Sequence, residues 1–174
     1  GNVLDPFAVM ETYGLDALRF YLFREVAFGL DGTISLEGFE QRYTNELANE
    51  LGNLVSRSVS MIAKYREGQI PQAGPEGEGL AGVAAAGEEM VAAAAAHFDE
   101  VEITAALESV REFVRRLNRP AEEEAPRKLP KDEAQDGRLD AVLRRLPAGL
   151  RPAALPPSPL LPATALDTLT PPEP

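Results

Sequence analysis

The stretch SLEGFEQRYTNELANELGNLVSRSVSMIAKYR, residues 35–66, decides the fold. Its apolar side chains recur at three- and four-residue steps, which is the spacing of one face of an α-helix. This stripe consists of Phe39, Tyr43, Leu47, Leu51, Leu54, Met61 and Ile62. Ser35 followed by Glu37 is typical of a helix N-terminus, and no proline interrupts the pattern. The sequence therefore predicts one long helix of about 45 Å at 1.5 Å per residue.

The rest of the chain also shows helical patterns and almost no strand signal. The helical segments are those opening at Asp5-Pro6 and at Leu15, the Ala-rich residues 80–98, the amphipathic residues 101–118 and a last pattern near Gly137. They predict an all-α fold, an antiparallel helix bundle preceded by a short N-terminal helical linker subdomain. We expect the linker subdomain in residues 1–34, the bundle in 35–151 with a polar linker over 119–136, and a Pro-rich, weakly structured tail in 152–174.

Prolines set the limit of the last helical pattern. The pattern runs from near Gly137 into Pro147 and Pro152. An interior proline removes a backbone donor and costs a helix about 3 kcal/mol. We therefore expect a helix over 137–146 that packs against the bundle. The second half of the pattern should not be helical, and we expect no packed helix from 152 onward.

Composition excludes several classes of site. The chain has 174 residues, no Cys and a single His, which excludes disulfide scaffolds, thiolate metal sites, thiol nucleophiles and sites of several imidazoles. The net charge of −11 does not favour a nucleic acid as a partner, because a phosphate backbone attracts Lys and Arg, and we expect no DNA partner. No apolar stretch reaches the roughly 20 residues of a membrane span, and the N-terminus has no signal sequence. We expect a cytoplasmic protein without a membrane partner.

Three polar residues of the long helix form the candidate site. Asn49, Asn53 and Arg57 follow one another at four-residue steps, so they share a face that the leucines do not occupy. Asn and Arg are side chains that hydrogen-bond to base edges, and Arg also stacks on bases. The alternative interpretation is an ordinary solvated helix face.

Other charged groups have simpler interpretations. Arg111, Arg115 and Arg116 form either a phosphate-facing stripe or an exposed face partly paired with Glu108 and Glu112. For the single His97 we expect a packed or surface imidazole, and for residues 122–124 a solvated run of acids.

Specific motifs resemble a known family. GNVLDP (residues 1–6) and YGLDALR (13–19) resemble the segment after the signature lysine loop of class I aminoacyl-tRNA synthetases. REVAFGLDG (24–32) and LANELGNLVSR (47–57) are similar to methionyl-tRNA synthetases in particular. The likeness covers residues 1–66 well and continues more loosely to Arg151.

This resemblance implies a function and a site. In that family the region is the helical anticodon-binding domain, which follows a Rossmann catalytic domain in the same chain. The partner is the anticodon loop of methionine-specific tRNA, and ATP with Mg serves the catalytic domain, whose motifs would precede Gly1. The resemblance implies no catalytic residue, metal or cofactor within residues 1–174, which alone should be inactive.

The implied anticodon-binding residues are Asn49, Asn53, Arg57, Pro126 and Arg127. In the family, a Pro-Trp pair stands where this chain has Pro126-Arg127. Base–aromatic stacking contributes about 1–3 kcal/mol, so the missing Trp predicts weaker anticodon binding. Two alternatives stay open. One is the equivalent domain of a Leu-, Ile-, Val- or Cys-tRNA ligase, and the other is a helical protein-interaction module that binds no RNA.

Overall fold

The structure is a computed structural model that describes residues 4–71, 78–123, 133–154 and 156. These residues are predominantly helical and include no strand. The helices are α1 (Pro6–Tyr13), α2 (Leu15–Glu25), α3 (Leu36–Arg42), a π-helical segment (Tyr43–Gly52), α4 (Asn53–Arg66), α5 (Glu78–Asp99), α6 (Ile103–Glu123) and α7 (Glu133–Ala154). The predicted all-α helix bundle is confirmed.

Local chemistry places the ends of the first helices as the sequence predicts. The Asp5 carboxylate accepts from the Phe7 N–H at 2.9 Å, and α1 ends at Gly14 with a φ of 85°. At α3 the Ser35 hydroxyl accepts from the Gly38 N–H at 3.0 Å. Each cap satisfies a backbone donor that would otherwise lack a partner in the first turn.

The long helix is continuous from 36 to 66, but it is not one uniform α-helix. Its middle third, Tyr43–Gly52, is π-helical. A π-helix has i→i+5 hydrogen bonds and therefore a wider turn. The prediction of a single regular α-helix is wrong over these ten residues.

The long helix contributes to two apolar cores. α3 packs through Phe39 into an N-terminal core that consists of Val9, Ala17, Leu18, Tyr21 and Phe39. α4 packs through Leu54, Met61 and Ile62 into the bundle core with residues of α5, α6 and α7. The long helix therefore passes from one core to the other.

The last helix continues through its prolines, contrary to the sequence prediction. α7 includes Pro147 and Pro152 and ends only at Ala154, three residues inside the segment predicted as a weakly structured tail. The helix persists because six of its side chains are buried, namely those of Val142, Leu143, Leu146, Leu150, Ala153 and Ala154. Burying such side chains releases about 1.5–3 kcal/mol each for the larger ones, which offsets the proline cost.

Close helix contacts at two glycines support this arrangement. Gly87 of α5 lies under the Pro152 ring, and a Cβ added there would be 2.9 Å from Pro152 Cγ. Gly149 of α7 lies against Leu117 of α6, where a Cβ would overlap the leucine methyl groups. The absent side chains let α7 approach both neighbours.

The polar linker is shorter than predicted. α6 extends through Pro120 to Glu123, and α7 already begins at Glu133, so both ends of the predicted linker 119–136 are helical. Residues 124–132 lie outside the described part, and so does nearly all of the predicted tail after Ala154. Among the described helices, none has the length and apolar character needed to span a membrane.

Candidate functional site

The predicted candidate site lies where the π-helical segment joins α4. Asn49 is near the end of the π-helical segment, Asn53 is the first residue of α4, and Arg57 follows one turn later. Both asparagines are exposed and Arg57 is half-buried, whereas Leu54 and Ser58 beside them are buried. We call these three residues the candidate RNA face.

The π-helical turn explains how a four-residue spacing stays on one side. In an α-helix a step of four residues overshoots a full turn by about 40°, so a stripe at that step drifts around the axis. A π-turn contains more residues, so a step of four falls short of a full turn there and offsets the overshoot of the α-helical steps before and after it. Tyr43, Leu47 and Leu51 therefore stay half-buried toward the cores, while Asn49 stays on the exposed side.

Backbone hydrogen bonds show the change of register at Asn53. The Asn53 N–H donates to the carbonyl oxygens of Ala48 and Glu50. The bond to Ala48 is the i→i−5 bond of a π-helix, and the bond to Glu50 is a tighter i→i−3 bond. The backbone under the candidate RNA face is therefore fixed in a turn that a regular α-helix would not give.

Residues of α6 bind Glu50 at its side-chain carboxylate and at its backbone carbonyl. Arg111 Nε and Nη2 each donate to a carboxylate oxygen of Glu50 at 3.0 Å, a bidentate pair. The Asn118 side-chain amide donates to the Glu50 carbonyl oxygen at 3.0 Å. The turn between Asn49 and Asn53 is therefore attached to α6 at two points.

The attachment is one end of an ion-pair network that also reaches α2. Arg24, of which 9% is exposed, donates to Glu46 at 2.9 Å and to Glu108 at 2.7 Å. The Arg24 Nη1 atom donates to the Thr104 carbonyl oxygen at 3.2 Å. The network joins the N-terminal subdomain, the π-helical segment and α6, since Glu46 and Glu108 also pair with Arg111.

The network changes the acidity of Glu108. Burial by itself raises the pKa of a carboxyl group, but the charges of Arg111 and Arg24 and the hydrogen bond from Arg115 hold the pKa of Glu108 below its usual 4.5. Glu108 is therefore ionised at neutral pH and matches the guanidinium groups around it.

Of the two interpretations of the arginines on α6, the structure favours the partly paired face over the phosphate-facing stripe for two of the three. Arg111 and Arg115 both pair with Glu50 and Glu108, so their charges are used inside the fold. Pairing with Glu108 is confirmed. Glu112, the other predicted partner, is exposed and is in no ion pair among the residues of known placement. Arg116 is also exposed.

The remaining candidates give no further site. The His97 imidazole is partly exposed and lies 2.7 Å from the Glu102 carboxylate, as expected for a surface histidine. Within the ranges that the structure covers, no group of three or more His, Asp or Glu side chains could hold a metal ion. Pro126 and Arg127, the predicted stacking pair, lie outside the described residues.

An acidic cleft adjoins the ion-pair network. It has a volume of about 780 Å³ and lies between the end of α2 and the turn joining α5 to α6. Its lining includes the carboxylates of Glu100, Glu102, Glu108 and Glu112. Arg24 and His97 also line the cleft, but each lies against one of these carboxylates, so neither offers an unpaired positive charge to a phosphate group.

Sequence reasoning missed the residues that support this face. Arg24, Glu46 and Asn118 are polar residues in helices, and their partners lie on other helices. Helical spacing indicates neighbours only within one helix. The sequence does not distinguish the π-helical segment, since steps of four such as those joining Phe39, Tyr43, Leu47 and Leu51 are also common in an α-helix.

Comparisons with known proteins agree on one family. The family model described as tRNA synthetases class I (M) matches residues 1–59. The methionine–tRNA ligase of Bacillus subtilis is 42% identical over 156 residues, which are 89% of this chain and 24% of that protein. The methionine–tRNA ligase of Caldanaerobacter subterraneus subsp. tengcongensis is 38% identical over 164 residues, 94% of this chain and 26% of that protein. The chain thus spans about a quarter of the length of these curated relatives.

A solved structure shows the same fold. The crystal structure of Mycobacterium tuberculosis methionyl-tRNA synthetase bound by methionyl-adenylate matches with a TM-score of 0.88 and 35% identity. The match covers 97% of this chain and 34% of that one. The relatives named here are methionine–tRNA ligases and a methionyl-tRNA synthetase, so the likeness is to that family rather than to the Leu, Ile, Val or Cys alternative. By sequence and by fold, the chain is similar to one part of methionyl-tRNA synthetases, which are class I aminoacyl-tRNA synthetases.

Proposed function

We propose that this chain recognises the anticodon loop of methionine-specific tRNA, as the RNA-binding part of a methionine–tRNA ligase. The observation that carries the proposal is the exposure of Asn49 and Asn53 on a turn that is fixed from behind. Exposed amides can donate and accept at a base edge at the same time. Because the backbone below them is already ordered, binding costs less conformational entropy.

Local charge supports RNA binding by an acidic chain. Glu46 and Glu50 flank Asn49 in sequence and would repel a phosphate backbone if they were free. Instead Glu46 pairs with Arg24 and Arg42, and Glu50 pairs with Arg111. In the network as a whole, four carboxylates (Glu25, Glu46, Glu50 and Glu108) face four guanidinium groups (Arg24, Arg42, Arg111 and Arg115). The π-helical segment therefore offers amides to RNA with little net negative charge beside them.

The proposal assigns the chemistry and the recognition to different parts of the parent enzyme. Joining methionine to tRNA with ATP, in the cytoplasm, is the proposed activity of the whole ligase. The chain described here supplies recognition of the anticodon. Arg127 takes the place of the stacking Trp in this proposal, and its guanidinium offers a smaller and more hydrated face to a base than an indole does.

Filter binding with the 174-residue chain tests the proposal. The probes are methionine tRNA and the same tRNA with its anticodon bases replaced. We expect the chain to bind methionine tRNA at least about tenfold more tightly, because each specific base contact contributes about 1–3 kcal/mol. Equal binding of both RNAs would contradict anticodon recognition, and no binding of either would favour the protein-interaction module.

A further inference from the structure

We infer that Asn118 of α6 is a positioning residue that holds the π-helical turn under Asn49 and Asn53 in its register. This inference rests on the proposed function for its meaning, since the turn positions the candidate RNA face. Asn118 lies on a different helix, α6, and is not one of the three residues of the candidate RNA face. Its role is to set where the asparagine amides point.

The Glu50 carbonyl oxygen is the shared point of contact. It accepts the Asn53 backbone N–H and also the Asn118 side-chain amide, at 3.0 Å for the latter. A carbonyl oxygen has two lone pairs, so both bonds can form together. In a regular α-helix the Asn53 N–H would instead donate to the Asn49 carbonyl oxygen. By holding the Glu50 carbonyl, Asn118 favours the observed register, in which the Asn53 N–H donates to Ala48 and Glu50, over the α-helical bond to Asn49.

Burial makes this hydrogen bond a specific constraint. The Asn118 Oδ1 atom is buried and has no hydrogen-bond partner among the residues that the structure describes. Among the described residues, the Asn118 side chain is therefore held by the hydrogen bond from its Nδ2 atom to the Glu50 carbonyl oxygen. An unpartnered buried oxygen lowers stability, so an apolar residue of similar size would keep or raise the stability of α6 while losing the constraint.

The Arg111–Glu50 pair works in the same direction but cannot replace the amide bond. It holds the Glu50 carboxylate at the end of a flexible side chain, whereas Asn118 holds the backbone itself. Only the backbone contact fixes the carbonyl that Asn53 uses. The candidate RNA face therefore depends on Asn118 even while the ion pair is intact.

Two variants of the 174-residue chain test the inference by amide exchange followed residue by residue in NMR. Asn118→Leu removes the donor and keeps the volume, and Asn118→Asp keeps the shape but turns a carboxylate toward the Glu50 carbonyl. We expect the Asn53 amide to exchange about tenfold faster in both variants. The Ile62 amide, in the packed part of α4, should exchange at an unchanged rate in Asn118→Leu.

Ser109→Ala is the matched control on α6, because the Ser109 hydroxyl donates within its own helix to the Ala105 carbonyl oxygen at 3.2 Å. It should leave the Asn53 amide unchanged. An Asn53 amide that exchanges equally in wild type and in both Asn118 variants would overturn the inference. This readout needs no RNA, so it remains decisive even if the chain fails to discriminate between tRNAs. If it does discriminate, Asn118→Leu should reduce the preference for methionine tRNA about tenfold.

Discussion

Arg57 follows Asn53 by one helical turn and is half-buried beside Leu54 and Ser58. Its position on the candidate RNA face predicts that Arg57→Ala weakens binding of methionine tRNA by about 1–3 kcal/mol and relaxes discrimination at one anticodon base. Arg116→Ala is the matched control, because Arg116 is an exposed arginine on α6 and is not one of the three residues of the candidate RNA face. Equal, small losses in titrations of the two variants would contradict the assignment of Arg57.

The proposed function gives Arg127 the place where the resemblance implies a stacking Trp. An indole offers a larger and less hydrated face to a base than a guanidinium does, and stacking contributes about 1–3 kcal/mol per base. We expect Arg127→Trp to tighten binding of the methionine anticodon stem-loop and to change binding of a stem-loop with a scrambled loop much less. If fluorescence titration shows unchanged or weaker binding, residue 127 does not reach the anticodon.

At the scale of helices, Gly87 permits the contact that lets α7 continue through Pro152. Alanine is the better helix former by about 1 kcal/mol, but a Cβ at Gly87 would be 2.9 Å from Pro152 Cγ in a rigid ring. Overpacking of this kind costs about 1–3 kcal/mol, so we expect Gly87→Ala to lower the free energy of unfolding.

Gly82→Ala is the control on the same helix. No atom lies within 4 Å of the Cβ it would add, so it should raise the free energy of unfolding by about 0.5–1 kcal/mol. Urea denaturation of both variants measures the difference. Stabilisation by both substitutions would show that α5 and α7 are not in close contact at Pro152.

The helices themselves could be predicted because their signals are local. Asp5, Ser35 and Gly14 mark helix ends, and the apolar stripe of residues 39–62 marks a buried face. The π-helical segment and the persistence of α7 depend on other helices, through Asn118 and Gly87. Periodicity within one segment carries no information about such partners, so these two features were mispredicted.

The candidate site divides in the same way. Asn49, Asn53 and Arg57 could be chosen from residue type and spacing, and the structure leaves both asparagines exposed. The groups that hold them, Arg111 and Asn118, come from a helix about 60 residues later in the chain. Candidate residues on one helix face can be chosen from a sequence, whereas the residues of other helices that hold them in place are known only from the fold.

At the scale of the whole molecule, the ion-pair network joins the N-terminal subdomain to the bundle and makes stability depend on pH. Because the folded-state pKa of Glu108 lies below its usual value, the ionised Glu108 carboxylate raises the free energy of unfolding at neutral pH. The contribution is lost as the pH falls through that lowered pKa. About a third of the Glu108 side chain is exposed, and Arg24 keeps Glu46, so we expect Glu108→Gln to cost about 1 kcal/mol or less at pH 7.

Thermal unfolding between pH 7 and pH 3 measures this effect. The difference between wild type and Glu108→Gln should shrink toward zero as the pH falls, because protonation removes the same charge from the wild type. Glu112→Gln, an exposed substitution on the same helix, should show a smaller difference at pH 7. A Glu108→Gln difference that does not change with pH would show that the network does not depend on the Glu108 charge.

We propose that Asn49, Asn53 and Arg57 recognise an anticodon. Their candidate RNA face depends on these residues, on the π-helical turn and on the ion-pair network behind it. The most direct test compares the affinity of wild type and Asn53→Ala for two stem-loops, one with the methionine anticodon and one with its anticodon bases replaced. Wild type should prefer the methionine stem-loop about tenfold or more, and Asn53→Ala should lose most of that preference while binding the altered stem-loop as before. An Asn53→Ala variant that keeps the full preference would contradict the proposed recognition.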